Sequence, residues 1–237
     1  MGGGKKDIAK DSIFFRDPEA RREVFEFSKA IAEYLEKEGI KDLVIVDRSS
    51  RPLYIGVREY WDKKFRGKQR PGIYFINPKG FESRDVLSLE EADINKKYSY
   101  ETVGQVREKE EIIAEFERVY PKLVADKNKP ILIFDTCIHS GDTLVKVVEI
   151  FKEMGFSDVR IGAVNPADRL SKVKKDFFIT TSRPERGCYP FDRDRMIEKT
   201  FEHIYSRRVT DTRKIAAGVE IRREIKKIME ENLESDR

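Results

Sequence analysis

Cysteine, histidine and glutamine are all but missing from this chain, and each shortage removes a class of function. Cys137 and Cys188 are its two cysteines, His139 and His203 its two histidines. Two cysteines make no disulfide framework, and without C-x-x-C or H-E-x-x-H spacing the chain has no zinc-site signature. No apolar run reaches the roughly 18 residues that a membrane helix needs. The opening Met1-Gly-Gly-Gly-Lys-Lys6 lacks the apolar centre of a signal peptide, and Lys6 stands where a myristoylation signal carries Ser or Thr. A cytoplasmic protein that does not engage a membrane is expected. Glutamine occurs only as Gln69 and Gln105, and few amides beside abundant Lys, Arg and Glu suit a thermophile.

What is plentiful is charge. Charged residues make up 39% of the chain, yet the net charge is only +4, where about 25% charged residues is usual. The excess is therefore mixed-sign surface rather than a basic patch. Near the C-terminus, Arg222, Arg223, Lys226 and Lys227 alternate with Glu220, Glu224, Glu230 and Glu231. That reads as a solvated helix face, so no nucleic-acid partner is expected.

The 237 residues suffice for one large α/β domain or a core domain with an appendage. Asp17-Pro18 is an N-cap and N1 pair that starts a helix over 18–38, ended by Gly39. Leu43 to Val46 reads as a buried strand, and Leu53 to Phe65 as a helix weakened by Gly56. Gly72 to Ile76 is a second strand. A helix is expected over about 101–120, with Val106, Ile112, Ile113, Phe116, Val119 and Tyr120 apolar. Val159 to Val164 and Phe177 to Thr180 are further strands. Residues 192–207 and 211–233 read as helices, the latter with Ile215, Val219, Ile221, Ile225 and Ile228 on its apolar face. Strands separated by helices imply a mostly parallel sheet covered on both faces. The expected organisation is a flexible N-terminus (1–16), an α/β domain (17–210) with a charged insertion at about 82–128, and a C-terminal helix (211–237).

The most informative stretch is Ile131-Leu-Ile-Phe-Asp-Thr-Cys-Ile-His-Ser-Gly-Asp-Thr143. Four apolar residues run into an acid, then a short polar loop, then the amphipathic Leu144 to Phe151. Strand, tight loop and helix in that order turn backbone N–H groups and a helix dipole toward one point, which suits a phosphate. Asp135, at the strand's carboxyl end, is placed to accept hydrogen bonds from sugar hydroxyls. The same pattern also occurs in α/β proteins without a ligand. No Walker A string exists, and Cys137 stands where a haloacid-dehalogenase-type site needs a second Asp.

Over these residues the chain resembles the type I phosphoribosyltransferases. Their signature is four apolar residues, two acids, two variable residues, a small residue, Ser or Thr, Gly, any residue, and Ser or Thr. Here Ile131 to Phe134 form the apolar run and Asp135 is the first acid, with Cys137 and Ile138 variable. Ser140, Gly141 and Thr143 match the phosphate-binding end, with Asp142 in the free position. Thr136 replaces the second acid, and His139 replaces a residue that is often Thr or Ala.

The resemblance implies a fold, a reaction and a site. The fold would be a phosphoribosyltransferase-like parallel sheet with a helical insertion and a helical C-terminus. The reaction would be Mg²⁺-dependent transfer of phosphoribosyl from its pyrophosphate to a nitrogenous acceptor, possible as a homodimer. The 5′-phosphate would sit on the N–H groups of Ile138, His139, Ser140, Gly141, Asp142 and Thr143. Asp135 would hold the ribose hydroxyls, with Thr136 beside it. Arg48, Ser49, Ser50 and Arg51 would form the pyrophosphate loop, the alternative being that both arginines make surface salt bridges with Asp47 or Glu59. His139 would move a proton on the acceptor or donate to the phosphate. Residues 82–105, with Lys96, Lys97, Tyr98 and Tyr100, lie where a covering loop would be, or form a solvated insertion. Three other readings stay open: a catalytically silent regulator on the same fold, a nucleotide hydrolase or phosphorylase, and a nucleic-acid-binding C-terminal helix.

Overall fold

Alternation along two central strands organises the molecule. In β1 (Asp42–Val46), Leu43 and Ile45 are buried on one side of the sheet and Val44 and Val46 on the other. In β3 (Ile131–Asp135), Leu132 and Phe134 share the first side, and Ile131 and Ile133 the second. Strands buried on both faces must read as continuous apolar runs, and these do. A computed structural model describes residues 14–15, 17–46, 52–76, 108–136, 142–164, 176–179 and 212–235, without the side chains of 142, 212–218 and 235.

Three further strands complete a five-stranded sheet: β2 (Gly72–Ile76), β4 (Val159–Val164) and β5 (Phe177–Ile179). Every pairing is parallel, and the order is β2-β1-β3-β4-β5. The first face carries α1 (Pro18–Lys37), α2 (Leu53–Lys64) and the C-terminal helix α6 (Thr212–Ser235). The second carries α3 (Lys109–Val119), the one-turn α4 (Pro121–Val124) and α5 (Asp142–Glu153). The connection β1→β2 steps one way across the sheet, while β2→β3 and β3→β4 step the other. Right-handed crossovers therefore put α2 and α5 on opposite faces. The α/β class with helices on both faces holds.

Local chemistry accounts for the element ends. Asp17 accepts from the Glu19 N–H at 3.0 Å and Pro18 opens α1. Gly39, at φ 66°, lets the Ile40 N–H turn back to the Leu35 carbonyl. At Gly162 of β4, a Cβ would lie 2.8 Å from Phe134 Cδ2 and 3.2 Å from Phe177 Cδ1. Only a glycine lets those rings close over the strand.

Four expectations need correction. The middle helix is described over Lys109–Val119, with 101–107 and so Val106 outside the described residues, and it buries only Ile112 and Phe116, leaving Val119 exposed. Val219 is 58% exposed, and among the described side chains the apolar stripe of α6 is Ile221, Ile225, Ile228 and Met229, Ile215 lying outside them. Glu224 is not on a solvated face: it is 4% exposed and its carboxylate accepts from the N–H groups of Phe14 and Phe15. Flexibility through residue 16 fails at Phe15, whose ring is buried in the core with α1, α2 and α6. The helix expected over 192–207, the segment 82–105 and residues 1–13 lie outside the described residues.

Candidate functional site

The strand order reverses between β1 and β3. The chain leaves β1 toward β2 on one side and leaves β3 toward β4 on the other, which opens a crevice outside the carboxyl ends of these neighbours. Open α/β sheets bind ligands at such a switch point. The two segments that leave it are 47–51, after β1, and 137–141, after β3.

β3 reaches this crevice because it is the central strand, paired with β1 on one side and β4 on the other. Its four apolar residues are at most 1% exposed. Burial fixes the register, since a one-residue slip would reverse every side chain. That register brings Asp135 opposite Ala163 at the strand's last position. Asp135 is 7% exposed and the next residue, Thr136, only 2%. A carboxylate and a hydroxyl buried at the end of an otherwise apolar strand are costly unless hydrogen-bonded, and both have interaction partners in the structure.

α5 supplies the other half. Leu144, Val147, Ile150 and Phe151 seat it against the second face of the sheet. The Lys109–Glu153 ion pair ties its far end to α3. Because α5 returns antiparallel to β3, its N-terminal turn sits at the crevice. The first-turn N–H groups of any helix lack intrahelical acceptors and carry the positive end of the dipole. Thr143 is half-buried in that turn, one residue after the start of α5 at Asp142.

The structure thus places Asp135 and Thr136 at the carboxyl end of β3, and Asp142 and Thr143 in the first turn of α5, the next helix along the chain. The other sequence-predicted site residues, Arg48, Ser49, Ser50, Arg51, Ile138, His139, Ser140 and Gly141, lie outside the described residues, as does the side chain of Asp142. Of the alternative partners offered for the arginines, Glu59 is engaged by Lys226 at 3.2 Å. Among the described residues no group of three or more His, Cys, Asp or Glu side chains could hold a metal ion. No described helix is long and apolar enough to cross a membrane.

No family model matches the chain, and no curated protein matches it. Among solved structures it is similar to a purine phosphoribosyltransferase from Pyrococcus horikoshii, at 16% identity over 67% of this chain and 82% of that one, with a TM-score of 0.38. It is also similar to a hypoxanthine phosphoribosyltransferase from Trypanosoma cruzi in complex with its product IMP. There the identity is 12% over 69% of this chain and 76% of that one, with a TM-score of 0.39. Likeness at this level assigns neither substrate nor residue roles.

Proposed function

We propose that the chain is a phosphoribosyltransferase that transfers phosphoribosyl from its pyrophosphate to a nitrogenous acceptor. The observation that carries this reading is the placement of Asp135 and Thr136. They stand buried at the carboxyl end of the central strand, at the switch point, and the sequence from there runs through Ser140-Gly141-Asp142-Thr143 into α5.

The reaction forms a bond from the acceptor nitrogen to the anomeric carbon as the bond to pyrophosphate breaks. Positive charge builds on the sugar while a highly charged group departs, so positioning and electrostatics are what the protein must supply. In this reading the N–H groups at the start of α5, with the Ser140 and Thr143 hydroxyls, hold the 5′-phosphate. Asp135 accepts from the ribose hydroxyls. Arg48 and Arg51, with Ser49 and Ser50, grip the pyrophosphate, since guanidinium forks match phosphate geometry. His139 moves the acceptor proton or donates to the phosphate.

Mg²⁺ suits this donor set only as an ion carried by the substrate. It commonly binds through one or two carboxylates plus substrate phosphates, and Asp135 is the one described carboxylate at the crevice. Bound there, it would neutralise charge on the leaving group.

Calorimetric titration of phosphoribosyl pyrophosphate with Mg²⁺ tests the site. Micromolar binding by the wild type that disappears in Asp135→Ala is expected, and pyrophosphate release on adding acceptors should follow. Absence of binding by a folded wild-type protein would end this reading.

Thr136 favours a second reading. A neutral residue at the second acid's place weakens the hold on ribose by a charge-assisted hydrogen bond of about 1.5–3 kcal/mol. A protein that binds the same ligand as a regulator, without turnover, fits that loss. Tight binding with no pyrophosphate release across purine, pyrimidine and amine acceptors would select it.

A further inference from the structure

At the opposite pole of the sheet, where α2 ends and the chain turns into β2, a second site is built from different residues. Residues 62–70 contain five cations, Lys63, Lys64, Arg66, Lys68 and Arg70, in a chain whose net charge is only +4. Three carboxylates face them. Glu36 pairs with Lys68, Asp62 with Arg70 and Glu230 with Lys63. Lys64 and Arg66 have no ion-pair partner among the described residues.

Of these side chains Arg66, Lys68 and Arg70, with the carboxylate of Asp62, edge an open cleft of about 270 Å³ whose wall includes Trp61 and Phe65. The turn that shapes it closes with the Lys68 N–H donating to the Phe65 carbonyl at 3.0 Å. Gly67 stands in that turn at φ 84°, a left-handed conformation that glycine adopts without strain. The turn sets Arg66 and Lys68 on either side of one residue. Arg66, unpaired among the described residues, beside Lys68 and Arg70, whose ion pairs are exposed, calls for a ligand made of acceptors.

We propose that this cleft binds a compact polyanion of the inorganic di- or triphosphate class. Its volume lies just below the roughly 300–1,000 Å³ of drug-sized pockets. Trp61 is only 5% exposed, so the cleft offers no indole face on which a nucleobase would stack. Exposed ion pairs contribute little, so Lys68 and Arg70 exchange Glu36 and Asp62 for phosphate oxygens readily. The site stands apart from the crevice at β1 and β3, because it lies at the amino ends of the strands, and it does not depend on the reaction proposed there.

Calorimetric titration of inorganic pyrophosphate without divalent cations separates the two sites. It is run on the wild type, on Arg48→Ala/Arg51→Ala and on Arg66→Glu/Lys68→Glu. A binding event that survives the first pair and weakens at least tenfold in the second is the expected result. Should the charge reversal disturb folding, Arg66→Gln/Lys68→Gln is the milder pair, with the same direction expected. Binding lost in Arg48→Ala/Arg51→Ala and unchanged in Arg66→Glu/Lys68→Glu would overturn the proposal, as would no binding at all. A single-stranded oligonucleotide that binds through Arg66 and Lys68 while pyrophosphate does not would overturn it too, in favour of nucleic acid.

Discussion

Ser28 of α1 and Gly56 of α2 occupy the same small space. A Cβ at Gly56 would lie 2.0 Å from Ser28 Oγ and 2.8 Å from Ser28 Cβ, with Met229 of α6 at 3.5 Å. Glycine inside a helix costs about 1 kcal/mol relative to alanine, yet here it lets three helices of one face meet. Ser28 is fully buried, and its hydroxyl is turned back to donate to the Val24 carbonyl at 2.7 Å.

Gly56→Ala should therefore destabilise the protein despite its better helix propensity. Overpacking of this kind costs about 1–3 kcal/mol, or roughly 2–12 °C in Tm for a chain of this size. In a Ser28→Ala background the Oγ contact is gone but the Cβ contact remains, so part of the loss should persist. A melting temperature that stays level or rises in Gly56→Ala would show that α1 and α2 are not held this closely.

Glu224 joins the two ends of the chain. Its carboxylate accepts from the Phe14 and Phe15 N–H groups at 3.0–3.2 Å. Nearby, Arg21 reaches Glu231 at 2.7 Å and the Phe15 carbonyl at 3.5 Å. Hydrogen bonds to a charged group contribute about 1.5–3 kcal/mol. Glu224→Ala should lose about that much and free the N-terminal segment. Limited proteolysis reads this directly: cleavage close to Phe14 should quicken in the variant well before global unfolding. Equal cleavage rates would mean that ring burial of Phe15 alone holds the segment.

Alkaline stability should report on Tyr74. Its hydroxyl donates to Asp42 Oδ1 at 3.1 Å. Burial first, then the Asp42 charge and that hydrogen bond, push the phenol up to about 12 from 10. Below pH 10 both folded and unfolded chains keep the proton, and the protective contribution is fully present. Between about pH 10 and 12 the unfolded chain releases it while the folded chain retains it, so stability falls as pH rises through that window. In Tyr74→Phe this part of the decline should vanish. A shallower slope remains from Tyr34, whose phenol is raised mainly by burial. Denaturant midpoints measured across the window decide it, and identical slopes in both proteins would refute the assignment.

The two central strands were legible in the sequence because burial on both faces leaves unbroken apolar runs. The half-buried edge strand β2 was legible because its short apolar run is bounded by Pro71-Gly72 and Asn77-Pro78. Gly72 to Ile76 and Val159 to Val164 appear with those bounds, and β1 gains only Asp42. What misled was periodicity read without a partner. Val219 and Val119 fit an apolar stripe, yet one is 58% and the other 46% exposed, because no described element covers them. Glu224 read as solvated because nothing in its neighbourhood hints at the distant N–H groups of Phe14 and Phe15. The basic cleft after α2 was hidden by a balanced overall charge. Of the site read from the sequence, the structure describes the positions of Asp135, Thr136 and Thr143, while the residues from 47 to 51 and 137 to 141 lie outside the described residues.

Thr136 is where the sequence departs from the acidic pair, and its burial says what restoring the pair would do. At 2% exposure, a carboxylate there would leave water beside the carboxylate of Asp135. Desolvation and like charge both disfavour its ionised form, and an unmatched buried charge is among the changes that destabilise most. Thr136→Asp should therefore lower the melting temperature, more at pH 8 than at pH 5, because protonation at the lower pH relieves both penalties. It should not tighten phosphoribosyl pyrophosphate binding. Thr136→Val, which keeps the shape and removes the hydroxyl, leaves whatever group that hydroxyl meets unsatisfied and should cost about 1–3 kcal/mol without the pH dependence. Were Thr136→Asp as stable as wild type and stronger in binding, the threonine would be a lost acid rather than a residue chosen by its burial.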